Sequence, residues 1–199
     1  LNPDMAREQI SSGLLTWDFA SDENPDIILA AAGDYPTKEV MAAIDLIKQE
    51  WPLIKVRCVN VSSLTTLGFG TLANTANQKT FEEHFTADKP VIFNFHGYPQ
   101  TIKSILFNYA HDSSRFDIRG YMEIGSTTTP FDMHVRNRTS RYHLVIAAFD
   151  QLGHDGVLPY EEAQHIISKY QAKIDENTEY IKVNGIDIPE IDAWVWPAR

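Results

Sequence analysis

Short apolar runs bounded by turn residues divide the chain into candidate strands. Residues 26–32, 55–61 and 90–95 are mainly apolar, which is typical of strands that are covered on both faces. Residues 116–124 alternate between apolar and polar side chains, so the pattern predicts a strand with one less covered face. Residues 14–20 form a fifth candidate, and the polar turn after it is short for a helical crossover. We therefore predict that this strand is antiparallel to its neighbour.

Between the strands, apolar residues recur with the period of 3.6 residues that is typical of amphipathic helices. Three such helices are predicted, with inward positions at Val40, Ile44, Ile47 and Trp51, at Ile102, Ile105, Leu106 and Tyr109, and at Val135, Thr139, Tyr142, Ile146 and Phe149. Another helix is predicted from Pro159 to about Tyr180, before Asn184-Gly185, a dipeptide that favours a left-handed helix end. Residues 62–79 form the main irregular segment.

The order of these elements predicts the fold class. Alternating strands and helices indicate an α/β protein with right-handed crossovers, so we expect a three-layer αβα fold around a five-stranded mixed, mostly parallel sheet. A chain of 199 residues that is 43% hydrophobic can bury one sizeable core, and residues 1–199 are expected to form a single domain. The tail after Gly185 is too apolar to be left in water, so we expect it to dock on its own domain or on another surface.

The charge of the chain argues against two classes of partner. The 17 basic and 27 acidic residues give a formal net charge of −10, and no basic stripe is visible. Nucleic acid and anionic membranes are therefore not expected as partners. The apolar runs are much shorter than a membrane span and no signal peptide opens the chain, so a cytoplasmic protein is expected. The single cysteine, Cys58, is interpreted as a buried, unreactive thiol.

Motifs that carry catalytic chemistry are weak in this sequence. Residues 68–73 match the G-x-G-x-x-G/A pattern of dinucleotide sites, but six residues separate them from the preceding strand, which favours a flexible loop. The seven histidines fall into no recognised ligand spacing, so no metal site is expected, and Gly125-Ser126 lacks the second glycine of a nucleophile elbow. We assign no catalytic residue. Arg136, Arg138 and Arg141 could clamp an anion, but their spacing favours a solvated or interface-facing set.

The strand ends form one candidate ligand crevice. Open parallel sheets bind ligands at the carboxyl ends of their strands, and Gly33, Ser62 and His96 each follow a predicted strand. His96 stands beside Gly97 at the start of a helix. A hydrogen-bonded histidine that only positions the turn is the competing interpretation, and without a visible partner we favour it.

A hydroxyl-rich turn completes the candidate crevice. Its residues are Ser126, Thr127, Thr128 and Thr129. They precede Pro130, which suits the first position of a helix. The free amides and hydroxyls of a helix start can hold a phosphate or sulfate. Plain capping by Thr129 explains the same residues, and the nearby Asp132 carboxylate competes for the same amides, so local physics favours the cap.

Three segments carry a resemblance to a known family. They are residues 121–134 (YMEIGSTTTPFDMH), 94–99 (NFHGYP) and 136–144 (RNRTSRYHL). With them, the chain resembles the C-terminal domain of phosphoketolases along nearly its whole length. Phosphoketolases are thiamine-diphosphate enzymes of sugar-phosphate metabolism. The resemblance implies a fold similar to the transketolase C-terminal domain.

The resemblance also implies a function. Phosphoketolases are aldehyde-lyases that cleave xylulose 5-phosphate, and in some members fructose 6-phosphate, with inorganic phosphate to acetyl phosphate and a shortened aldose phosphate. Their thiamine diphosphate and Mg²⁺ belong to two larger upstream domains. The resemblance therefore implies a fragment of a longer chain that is inactive alone, completes the subunit and helps to form a homodimer, with no catalytic or cofactor residue in these positions. The alternative function is a regulatory module that binds a small anion or metabolite in the crevice.

Overall fold

A five-stranded sheet lies at the centre of the computed structural model, which describes residues 2–70, 75–109, 112–123 and 127–197. The strands are β1 (Leu14–Thr16), β2 (Ile27–Ala32), β3 (Val56–Val61), β4 (Val91–Phe95) and β5 (Phe116–Arg119). Their order across the sheet is β1-β3-β2-β4-β5, with β1 antiparallel to β3 and the other neighbours parallel. The predicted mixed, mostly parallel sheet and its antiparallel member are confirmed.

Helices cover both faces of the sheet. They are α1 (Pro3–Ser12), α2 (Asp34–Glu50), α3 (Gln78–Phe85), α4 (Pro99–Leu106), α5 (Pro130–Arg136), α6 (Arg141–His154), α7 (Tyr160–Asn184) and α8 (Pro189–Ala193). One buried cluster joins the sheet to α2, α6 and α7, and a second joins its opposite face to α3 and α4. Along β2, Ile27 and Leu29 belong to the first cluster, and Ile28 and Ala30 belong to the second. The predicted three-layer αβα arrangement is confirmed.

β5 is shorter than the alternating pattern predicts. The pattern predicts a strand to residue 124, whereas β5 ends at Arg119; residues 124–126 lie outside the described part of the chain. The cause is the neighbouring strand, because Arg119 pairs with Asn94 and β4 ends one residue later. Beyond it, the Tyr121 N–H donates to the Gly97 carbonyl, 2.8 Å away. A Cβ at Gly120 would lie 2.2 Å from that carbonyl oxygen, so glycine permits this close approach.

Three further boundaries differ from the predicted ones. The strand predicted over residues 14–20 divides into β1 and a single 3₁₀ turn, Asp18–Ala20. The pattern predicts neither α1 nor α3, although an asparagine side chain caps each of them, at Asn2 and at Asn77. α3 begins inside the segment that is interpreted as irregular, residues 62–79, which also contains the 3₁₀ turn Leu64–Leu67.

The helix predicted through residues 135–149 is two helices. α5 ends in a Schellman motif, in which the Thr139 N–H donates to the His134 carbonyl and the Arg138 N–H donates to the Val135 carbonyl. Arg138 takes the left-handed conformation of this motif, with φ of 58°. Ser140 is then the N-cap residue of α6. Thr139 is buried in the turn between α5 and α6, at a position that a single amphipathic helix would also bury. The buried positions therefore keep the helical period although the backbone breaks there.

The tail docks on its own domain. Helix α7 ends before Gly185, whose φ of 71° is the left-handed end predicted for Asn184-Gly185. Ile191 on α8 is 3% exposed. The Trp194 indole N–H donates to Asp45, 3.1 Å away, and the Trp196 ring meets Phe19 edge to face. We expected the tail to dock on its own domain or on another surface, and these side chains contact their own domain.

Candidate functional site

The topological switch point of the sheet lies between β2 and β4. The chain passes from β2 to β3 on one side and then returns to β4 on the other, so the turns after β2 and β4 diverge. Gly33 and His96 follow these two strands and lie in direct contact. A Cβ on Gly33, which has φ of 108°, would be 2.5 Å from the His96 Cβ. Glycine therefore serves both the backbone conformation and the approach of the histidine.

His96 faces a carboxylate at the start of α2. Its Nδ1 lies 3.2 Å from Oδ1 of Asp34, and both side chains are more than half exposed. The Tyr35 backbone N–H donates to the same carboxylate, 2.8 Å away. This hydrogen bond, together with His96, lowers the pKa of Asp34 below its usual value. His96 thus has a carboxylate partner that sequence reasoning did not identify.

A second histidine, His134 on α5, comes to the same place. Its ring stacks on Tyr35 with centroids 4.3 Å apart and planes 12° apart. Its Nδ1 lies 2.8 Å from the Thr139 hydroxyl oxygen. Burial lowers the pKa of His134, so the imidazole is neutral at physiological pH. Contacts on one face and one nitrogen fix this ring, and Nε2 is its remaining hydrogen-bonding atom.

Of these groups, His96, His134 and Thr139 border a cleft of about 350 Å³, which we call the switch-point cleft. It is lined by Phe95, His96, Gly97, Tyr121, Met133, His134, Asn137 and Thr139. All three segments that carry the family resemblance contribute to its walls. Behind the wall, the buried Asn94 side chain donates to the Thr139 carbonyl at 3.0 Å. Within the described residues, no group donates to Asn94 Oδ1.

A buried ion pair connects the helices near the switch point. Arg141 and Glu39 are almost fully buried, and two guanidinium nitrogens lie 2.7 and 3.0 Å from the carboxylate oxygens. The same guanidinium donates to the Ile191 carbonyl, so the pair joins α2, α6 and α8. The interpretation of Arg141 as solvated or interface-facing is wrong, because the spacing of three arginines along the chain contains no information about a partner 102 residues away. Arg136 and Arg138 are exposed.

The hydroxyl-rich turn receives a carboxylate from the chain itself. Thr129 is the predicted N-cap, and its hydroxyl donates to Oδ1 of Asp187 at 2.7 Å. The Phe131 N–H donates to the other Asp187 oxygen at 3.1 Å, and the Asn177 amide donates to Oδ1 at the same distance. An internal carboxylate therefore accepts from the amide where an external anion is expected. This arrangement favours the capping interpretation of the turn.

The remaining candidate residues lie apart from the switch-point cleft lining. The Ser62 hydroxyl donates to the Gln9 carbonyl at 3.1 Å and accepts from the Gln9 side chain at 3.2 Å, under α1. Thr128 donates to Asp132 at 2.7 Å, and Thr127 is exposed. Ser126 lies outside the described residues. Sequence reasoning thus identified Gly33 and His96 at the switch point but did not identify Tyr35 and His134.

Two further sequence features, Gly68 of the motif at residues 68–73 and Cys58, lie outside the switch-point cleft lining. Gly68, with φ of 92°, caps a 3₁₀ turn, and residues 71–73 of its motif lie outside the described part of the chain. Cys58 is buried, and burial raises the pKa of its thiol to about 12, as expected for an unreactive thiol. In the described ranges, no three His, Cys, Asp or Glu side chains form a group that could hold a metal ion. No helix among the described residues is long and apolar enough to cross a membrane.

Comparison with solved structures identifies a fold relationship. A transketolase from Leishmania mexicana superimposes with a TM-score of 0.51 over 80% of this chain and 19% of that protein, at 14% identity. A transketolase from Campylobacter jejuni gives 0.50 over 71% of this chain and 19% of that protein, at 16% identity. At such low identity the likeness concerns the fold alone. It agrees with the expected transketolase C-terminal-like αβα fold.

Comparison with sequences identifies the family. A probable phosphoketolase 2 from Nostoc sp. is 40% identical over 99% of this chain, which spans 25% of that protein. A probable phosphoketolase from Brucella abortus is 37% identical over 96% of this chain and 24% of its own length. The chain therefore spans about a quarter of these relatives. Because the family model described as XFP C-terminal domain matches residues 1–196, the chain belongs to the family of phosphoketolase C-terminal domains.

Proposed function

We propose that the chain is the C-terminal part of a phosphoketolase, a lyase that cleaves a carbon–carbon bond of xylulose 5-phosphate. In this proposal inorganic phosphate is the second substrate, and acetyl phosphate and an aldose phosphate are the products; fructose 6-phosphate is a further candidate substrate. The supporting observation is the family match over residues 1–196, together with the names of the curated relatives. The reaction belongs to the pentose phosphate part of carbohydrate metabolism, and we expect it in the cytoplasm.

We further propose that the chemistry resides in the other domains of the full-length polypeptide. Thiamine diphosphate with Mg²⁺ would supply the bond cleavage there. The described residues of this chain do not fit that group, because they offer no acidic cluster for a divalent ion and the amide of Phe131 already donates to Asp187. The role left to this domain is to complete the subunit and to help form a homodimer.

Two assays test this division of labour. Acetyl phosphate release from xylulose 5-phosphate would be measured for the full-length protein and for the 199-residue chain. Titration calorimetry would measure thiamine diphosphate binding to both. We expect activity and cofactor binding in the full-length protein only. Micromolar binding of the cofactor by the 199-residue chain would contradict the proposal.

A second candidate function is ligand binding at the switch point, as in a regulatory module for a small anion or metabolite. The switch-point cleft supports it, because the cleft has the volume of a small-ligand site and lies where open α/β sheets bind ligands. Thermal shift with panels of phosphates, nucleotides, carboxylates and amines tests it. A ligand at 100 times its dissociation constant stabilises the folded state by about 2.7 kcal/mol. No stabilisation by any compound would leave the domain with a structural role.

A further inference from the structure

Rings make up much of the walls of the switch-point cleft. Phe95, His96, Tyr121 and His134 all line it, and Met133 adds a polarisable thioether. The Tyr121 ring contacts Tyr98 outside the cleft, with centroids 5.7 Å apart. The faces of phenyl and phenol rings carry negative electrostatic potential. They therefore attract a positively charged group more than a neutral or negative one.

Carboxylates stand behind two of these walls, one in direct contact with a lining residue and one connected to the lining through Tyr98. Asp34 Oδ1 lies 3.2 Å from His96 Nδ1. On the other side, Glu123 accepts a hydrogen bond of 2.7 Å from the Tyr98 hydroxyl, and Tyr98 contacts Tyr121. Both carboxylates are exposed and lie outside the cleft lining, so they would act on a ligand through their charge and not as wall residues. The electrostatic potential around these carboxylates is negative, like that of the ring faces.

Most basic side chains near the cleft contact other groups, and the exposed Arg138, between the lining residues Asn137 and Thr139, borders a different cavity beside Arg119. Among the described residues that line it, none is Lys or Arg. Arg136 pairs with Asp132 at 2.7 Å, and Arg141 is enclosed with Glu39. The Lys38 Nζ lies 5.9 Å from the centroid of the Tyr35 ring and donates to the Asp192 carbonyl. An anionic ligand in this cleft would therefore meet ring faces and carboxylates without a free cation to balance its charge.

The cleft walls are also held in place before any ligand binds. Stacking on Tyr35 and contact with Thr139 fix the His134 ring. Gly97 presents bare backbone to Phe95, because a Cβ there would lie 2.6 Å from the ring. The Met122 N–H donates to Asn137 at 2.8 Å and so ties the Tyr121 segment to α5. A preformed wall binds a ligand without the entropy cost of ordering side chains.

We propose that the switch-point cleft binds a small organic cation, with an ammonium or amidinium group near Asp34 and Glu123 and an apolar part against Phe95, Tyr121 and Met133. The inference rests on the second candidate function, ligand binding at the switch point, and names the charge of the ligand. Of the small anion or metabolite considered for this crevice, it favours a metabolite with a positive charge. A volume of about 350 Å³ suits one ring with a short substituent.

Three probes with one ring and different charges test the inference. Benzylammonium, benzyl alcohol and benzoate would be titrated into the isotopically labelled 199-residue chain, with backbone amide shifts of Gly97, Tyr121 and His134 as the readout. We expect benzylammonium to bind about threefold or more tightly than benzyl alcohol, and benzoate to bind weakest. The advantage of the cation should shrink between about 50 mM and about 500 mM salt, because the carboxylates are exposed.

Variants connect the affinity to the named groups. Asp34→Asn keeps an acceptor for the Tyr35 N–H, and Glu123→Gln keeps one for Tyr98, so both should fold. Each should weaken benzylammonium binding about twofold or more and leave benzyl alcohol binding unchanged. Asp175→Asn, on α7, where the carboxylate accepts from Gln171 and not from a residue of the cleft, is the matched control and should change neither.

Different results of these titrations would overturn different parts of the proposal. Tighter binding of benzoate, or equal binding of all three probes, would overturn the cationic ligand while leaving a binding site at the switch point. No shift at these amides with any probe would overturn the cationic ligand, and the second candidate function would then depend on the thermal-shift panel alone. Neither result bears on the assignment to a phosphoketolase, which depends on activity of the full-length protein.

Discussion

Arg138 occupies a backbone position that usually belongs to glycine. Its φ of 58° is left-handed, and its N–H and the Thr139 N–H close the Schellman motif at the end of α5. A side chain makes this conformation costly, by about 1 kcal/mol. Arg138→Gly should therefore raise the free energy of unfolding by about 0.5–1 kcal/mol, measured by urea denaturation. Arg138→Ala is the control, because it removes the same side chain and keeps the unfavourable φ. Equal stability of the two variants would contradict the argument.

Asp187 is the acceptor on which the turn before α5 depends. It accepts from the Thr129 hydroxyl, the Phe131 N–H and the Asn177 amide. Asp187→Asn removes the charge beside the helix start and should lower the free energy of unfolding by about 1–3 kcal/mol. Thr129→Val should cost about 1 kcal/mol through the lost cap. Sulfate that restores stability to Asp187→Asn more than to the native chain would instead support an anion site here.

His143 gives the domain a pH-dependent stability. Burial, with the nearby Arg119 and Arg138 charges, lowers its pKa to about 4, while an unfolded histidine titrates near 6.5. Between these values the unfolded chain binds more protons, so stability is complete above about pH 6.5 and falls as pH is lowered toward 4. We expect a loss of about 1–2 kcal/mol from this group between about pH 7 and about pH 5. His143→Gln should flatten the pH dependence, and an unchanged slope would rule the group out.

At the scale of elements, the Glu39–Arg141 pair connects three helices. Both side chains are almost fully buried, and the Arg141 backbone N–H also donates to Glu39, 2.7 Å away. Removing only the cation leaves a buried carboxylate, so Arg141→Met should cost about 3–5 kcal/mol in thermal or urea unfolding. The double variant Glu39→Gln with Arg141→Met should recover part of that loss. A double variant less stable than Arg141→Met would show that the charge itself is not the cause.

The elements also show what hydrophobic patterns can and cannot predict. Buried runs locate β2, β3 and β4 within one residue, because strands covered on both faces are apolar throughout. The period of 3.6 cannot detect the break between α5 and α6, since Thr139 is buried in the turn as it would be in a helix. α1 and α3 were missed because their starts are determined by caps at Asn2 and Asn77 and not by a long apolar stripe.

The candidate site could be predicted only where it depends on strand ends. Gly33 and His96 follow strands, so chain order is enough to bring them together. Tyr35 and His134 meet by stacking between elements 99 positions apart, and no local pattern encodes that contact. The Asp187 carboxylate reaches Thr129 from a position 58 residues later for the same reason. Contacts between side chains that are far apart in the sequence are therefore visible only in the structure.

At the scale of the whole molecule, contacts within these 199 residues are distinct from contacts with the rest of the proposed full-length protein. Trp194 binds its own domain through Asp45 and a cation–π contact with Arg141, 5.5 Å from the ring. Phe107 is different, because it is 90% exposed after α4. Aromatic side chains are enriched at the buried centre of protein interfaces. We therefore expect Trp194 to stabilise the isolated chain and Phe107 to contribute to assembly of the full-length protein.

Trp194→Asp should lower the free energy of unfolding of the 199-residue chain by about 3 kcal/mol or more, because it removes a packed indole. Phe107→Asp should leave that chain within about 0.5 kcal/mol of its native stability. In the full-length protein, however, Phe107→Asp should weaken association of subunits or domains, measured by analytical ultracentrifugation and by limited proteolysis. If Phe107→Asp changes neither measurement, the face after α4 is not an assembly surface. If Trp194→Asp leaves the unfolding of the isolated chain unchanged, the tail does not contribute to the stability of its own domain.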